Sequence, residues 1–69
     1  MSWYKYNEKT EKNEVVSGCY KFELVEHYKY EGSEKYVREC INYFAPEVRR
    51  RKVIPKPAVE KIVKGFGYI

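Results

Sequence analysis

YKFELVEHYKYEGSEKYVRECINYF, residues 20–44, decides the fold, because its two halves can be read in two ways. In the first half Tyr20, Phe22, Leu24, Tyr28 and Tyr30 occupy even positions, and Lys21, Glu23, His27, Lys29 and Glu31 occupy odd ones. Alternation of this kind predicts a long strand with one apolar face, and Gly18 near its start marks a bend. In the second half, Ser33 suits a helix N-cap, and Tyr36, Val37, Cys40, Ile41 and Phe44 then form an apolar stripe at three-to-four spacing. Alternatively, Gly32-Ser33 is the centre of a type II′ turn and residues 34–44 are the return strand. That register sets Phe22 opposite Tyr43, Leu24 opposite Ile41 and Tyr28 opposite Val37 on one face, with His27 beside Arg38 on the other. Its one conflict is Glu26 against Glu39, a like-charge pair costing roughly 0.2–1 kcal/mol. Pairing favours the hairpin, with the helix as the alternative.

Working outward, Ala45-Pro46 ends this element, since proline continues neither a ladder nor a helix interior. Residues 47–54 carry Arg49-Arg50-Arg51-Lys52 and read as an edge strand or extended arm, where cations also discourage edge-to-edge association. Pro57 fits the first turn of a helix over 57–64, with Ala58, Val59, Ile62 and Val63 as its apolar side and Gly65 as its stop. Upstream, Trp3-Tyr4-Lys5-Tyr6 reads as a strand, and residues 7–14 hold no apolar side chain and read as a solvated loop. The expected architecture is α+β: a small antiparallel sheet of three or four strands, a central hairpin at 19–44 and one C-terminal helix, in a single domain spanning 1–69.

Eight Tyr, three Phe and one Trp supply most of the bulk of this 69-residue chain. Eight Val and four Ile against one Leu favour strands. The chain lies near the size limit for folding unaided, so a homodimer is expected to cover its sheet edges. A core this small hardly encloses a substrate pocket, and no residue set has triad spacing, so an enzyme is not expected. Cys19 and Cys40 match no zinc pattern and one His cannot complete a set, so neither metal nor cofactor is expected. In the hairpin register Cys40 lies opposite Val25, about 20 Å from Cys19 at strand rise, which excludes an internal disulfide.

The start of the chain lacks a signal-like apolar core, and no run reaches membrane-span length, so a soluble, cytoplasmic protein without a membrane partner is expected. Abundant Lys and Glu without Asp or Gln follows the hyperthermophile trend, although an AT-rich genome enriches Lys and Tyr as well. Small, Tyr-rich, highly charged chains also typify viral and mobile-element genes.

Charge is the main functional signal. Residues 1–34 hold five Lys and seven Glu, while residues 35–69 hold five Lys, four Arg and three Glu, a swing from −2 to +6. Such asymmetry predicts a surface for an acidic partner, with nucleic acid first and an acidic protein second. The candidate contacts are Arg38, Arg49, Arg50, Arg51, Lys52, Lys56, Lys61 and Lys64, with tyrosines as stacking platforms. No base-reading helix or Gly-rich phosphate loop accompanies them. The other functional class is a protein-interaction module, such as a viral or phage inhibitor or an assembly subunit. Its candidate interface residues are Trp3, Tyr4, Tyr6, Tyr36, Phe66 and Tyr68, because aromatic side chains anchor interfaces.

Overall fold

Residues 20–44 fold as two helices and not as a hairpin in the computed structural model, which describes residues 2–69. Helix α1 spans Lys21–His27 and α2 spans Glu34–Phe44, joined through a 3-10 turn at Lys29–Glu31. The alternation of large side chains is overridden by a helical set that overlaps it. Lys21, Leu24, Val25 and Tyr28 are all buried, and their spacing is that of one helix face. Tyr20, Phe22 and Tyr30, which supplied much of the alternation, point into solvent. Locally, the Glu23 carboxylate accepts the Tyr20 N–H at 2.7 Å and so secures the start of α1.

Helix α2 follows the alternative reading. Ser33 Oγ accepts the Tyr36 N–H at 3.1 Å, the N-cap bond expected of that serine. Arg38 meets Glu34 at 3.3 Å one turn away, and Val37 and Ile41 are fully buried. The Glu26–Glu39 conflict of the hairpin therefore never arises, and His27 does not face Arg38. Its ring instead packs against Trp3, Tyr4 and Tyr28, with centroids 5.1, 5.2 and 4.9 Å away.

Two short antiparallel sheets complete the fold. Strands β1, Tyr4–Asn7, and β2, Lys12–Val15, pair with Tyr4 opposite Val15 and Asn7 opposite Lys12. Half of the expected solvated loop is thus a strand, held by Asn7 and Thr10, whose side chains both donate to Glu14 at 2.9 and 3.0 Å. Strands β3, Cys19–Tyr20, and β4, Val53–Ile54, are two residues each, with Cys19 opposite Ile54. The described residues form an α+β fold with two two-stranded sheets and three α-helices, where a single sheet of three or four strands and one helix were expected.

Helix α3 spans Lys56–Phe66, slightly longer than the expected 57–64, and buries Ala58, Val59 and Ile62. It runs through Gly65 and stops at Gly67, whose φ of 89° closes the helix with its N–H bonded to Val63 O at 2.8 Å. The tail packs back on its own chain. Phe66 stacks on Tyr28 at 3.9 Å, the Tyr28 hydroxyl donates to Tyr68 O at 2.7 Å, and the Tyr68 hydroxyl donates to Glu31 at 2.7 Å. No helix among the described residues is long and apolar enough to cross a membrane.

Cys19 and Cys40 are both free thiols, and the hairpin geometry that separated them on paper does not exist. Burial, reinforced by the Glu23 carboxylate, pushes the Cys19 thiol from 9.0 up to about 12. Burial also raises the Tyr28 phenol above its ordinary 10.0, with Tyr68, Cys19 and Glu31 adding to the effect. Both groups stay neutral in the folded state and ionise at lower pH when unfolded, so the unfolded state binds fewer protons and stability falls as pH rises above about 9. Each group contributes a slope of about −1.4 kcal/mol per pH unit within its window. Lys21, lowered from 10.5 by burial and then by Arg38 and Arg49, opposes this slope just below its ordinary value. Urea denaturation at about pH 8 and about pH 10.5 should show that loss, and Cys19→Ala should remove the share that begins near 9. Equal pH slopes for the two proteins would contradict the assignment to Cys19.

Candidate nucleic-acid interface

The basic run is not an extended arm. Pro46 ends α2 and opens a 3-10 turn at Pro46–Val48 that continues into residues 49–52, with Arg49 N–H bonded to Pro46 O at 3.2 Å and Arg51 N–H to Val48 O at 3.0 Å. Val48 and Ile54, fully buried on either side, pin both ends of this segment to the core. Between them Arg49, Arg50, Arg51 and Lys52 are all exposed. The opposing alternation of side chains expected of a strand is therefore replaced by a turn that can gather its cations.

What fixes the turn is Lys21, a residue that sequence reading placed on the polar side of a strand. It is only 7% exposed, and its ammonium donates to Val48 O at 2.7 Å, Arg49 O at 3.2 Å and Asn42 Oδ1 at 2.9 Å. Its own backbone N–H donates to Lys52 O at 2.7 Å. One residue at the start of α1 thus grips the turn on both sides of the arginines. Close approach of Gly18 completes the clamp: a Cβ there would collide with the Ile54 carbonyl and sit 3.2 Å from Pro55 Cα and Lys56 N.

The turn, Arg38 from α2 and the Tyr20–Phe22 segment enclose an open groove of about 650 Å³. Six cationic side chains line it, Lys21 and Arg38 together with the exposed Arg49, Arg50, Arg51 and Lys52, and no carboxylate does. Tyr20 and Phe22 stand at its edge with rings nearly parallel, 16° apart, and centroids separated by 5.6 Å. They are 54% and 62% exposed. Sequence reading placed both on the apolar face of a strand. The signal against that was the Lys21, Leu24, Val25, Tyr28 stripe, which leaves Tyr20 and Phe22 off the buried face once Lys21 is accepted as an inward residue.

The groove gathers Arg38, Arg49, Arg50, Arg51 and Lys52 and does not include the other three candidates. Lys61 is paired with Glu47 at 2.9 Å. Lys56 and Lys64 border a separate hollow between α3 and β2. Of the candidate interface aromatics, Trp3 is buried against Tyr4 and His27, Tyr4 is half-buried, and Phe66 packs on Tyr28. Tyr6, Tyr36 and Tyr68 are exposed. Among the described residues no group of three or more His, Cys, Asp or Glu converges as a metal site.

Family models, curated proteins and solved structures contain no match to this chain.

Proposed function

We propose that this chain binds nucleic acid by seating the phosphate backbone in the groove between Arg38 and the 49–52 turn. The observation that carries the reading is convergence: four consecutive exposed cations on a clamped turn, with Arg38 of α2, itself paired with Glu34, beside them and no carboxylate among the lining residues. An exposed basic run scattered over a mobile arm would lose conformational freedom on binding, whereas a turn already held by Lys21 loses less. Fluorescence anisotropy with labelled DNA and RNA across a salt series tests it. Four or five phosphate contacts predict a log–log slope of about −3 to −4.5, and absence of binding at about 50 mM salt would retire the reading.

A second reading, self-association or docking on a protein, is favoured by helix α2. Tyr36 and Tyr43 lie two turns apart on one face and are 51% and 79% exposed. Two copies meeting through this face would cover both rings. Equilibrium sedimentation at micromolar concentration should then show dimer, and Tyr43→Lys should return it to monomer. A purely monomeric wild type would remove self-association.

A further inference from the structure

The groove has a second chemical component that phosphate binding does not use. Tyr20 and Phe22 present nearly parallel rings at the edge of the basic groove, more than half exposed, although both are large enough to be expected inside. Single exposed aromatics need no explanation, but a parallel pair beside a basic groove does. Among the described residues, the one cation seated over an aromatic ring is Lys29 on Tyr30, so the faces of Tyr20 and Phe22 are not capped by the neighbouring arginines. Nor is the pair a product of disorder. Tyr20 is fixed by its pairing with Val53 and by its N–H bond to Glu23, and Phe22 lies in the first turn of α1.

We infer that the groove takes single-stranded nucleic acid, with an unpaired base stacked on the Tyr20–Phe22 pair while the adjoining phosphates lie against the 49–52 turn. This rests on the nucleic-acid reading above and narrows it. In a duplex the base faces are already stacked on each other and only edges and phosphates are offered, so the aromatic pair gains nothing from it. In a single strand every base has a free face, and aromatic stacking adds affinity with little sequence preference. RNA and single-stranded DNA share this chemistry.

Four labelled ligands of about twelve nucleotides separate the contributions: a ribo strand, a deoxy strand, the deoxy sequence as a duplex, and an abasic deoxy strand that keeps phosphates without bases. Wild-type protein should hold the ribo or the deoxy strand about tenfold more tightly than the duplex and the abasic strand, with the tighter of the two identifying the preferred sugar. Phe22→Ala, at an exposed helix position where alanine is a good helix former, should lower the single-strand affinity about tenfold and leave the abasic affinity unchanged. Phe22→Trp should restore it. Binding that is equal for all four ligands, or that Phe22→Ala leaves unchanged, overturns base stacking while the basic groove stands. No binding of any ligand overturns the nucleic-acid reading itself.

Discussion

Replacing Lys21 with methionine is expected to destabilise the protein by about 2 kcal/mol and to release the arginine turn from the core. Methionine keeps the apolar stem of the lysine and removes only the ammonium, so the packing of α1 is a small part of the change. The loss is three hydrogen bonds: Val48 O, Arg49 O and Asn42 Oδ1 all accept from one nitrogen. Leaving a buried acceptor without a donor costs about 1–3 kcal/mol, and hydrogen bonds from a charged donor lie at the strong end. Removing a desolvated ammonium works in the opposite direction. Burial does lower the Lys21 pKa, with Arg38 and Arg49 adding to the effect, so relief of that penalty offsets part of the loss. The hydrogen bonds win because Val48 O is sealed beneath the turn and water cannot replace the missing donor there without opening it.

A domain this size loses roughly 4–8 °C in Tm per kcal/mol, so the variant should melt about 8–16 °C lower than wild type. Hydrogen exchange should rise at the Arg49 and Arg51 amides, whose bonds to Pro46 O and Val48 O close the turn. A Tm within a few degrees of wild type, with those amides still protected, would show that Lys21 does not hold the turn.

Lys21 also marks where sequence reading failed and why. A lysine among aromatics looks like the polar half of an alternating strand, and nothing local reveals that three acceptors from residues 42–49 are waiting for its ammonium. Those partners are distant in sequence, so propensity and periodicity cannot see them. With Lys21 on the polar side, Tyr20 and Phe22 fall on the apolar face of the strand, and the aromatic edge of the groove is hidden. By contrast, α3 was legible because its signals are local, Pro57 near the start and a four-residue apolar set, although the helix runs through the expected stop at Gly65 and closes at Gly67. The N-cap Ser33 was equally visible, but a two-residue turn competed for the same dipeptide. Cross-strand pairing then outweighed a cap whose hydrogen bond proved to be made. The basic run reads from sequence as an edge strand or extended arm, and it is a turn. Only tertiary contacts turn residues 49–52 back toward Arg38.

The turn, and not net charge in general, should govern nucleic-acid affinity. Replacing Arg49, Arg50 and Arg51 together with alanine is expected to reduce the salt slope by about 2–3 units, at about 0.9 per phosphate on duplex and about 0.7 on a single strand. That difference accumulates over the decade between about 0.1 and 1 M salt, so affinity near 0.1 M should fall by roughly two to three orders of magnitude. All three side chains are exposed and the turn is held through backbone atoms and Lys21, so the variant should fold. The matching control removes the same charge elsewhere. Lys56→Ala, Lys61→Ala and Lys64→Ala combined also lower the net charge by three, but on α3, where none of the three lines the groove and Lys61 is already paired with Glu47. With a Debye length of about 10 Å at 0.1 M, charges outside the contact surface act weakly, and this second variant should change the slope by less than about one unit. Equal shifts from the two variants would mean that binding is a diffuse response to a basic protein, and the groove would lose its claim as the site.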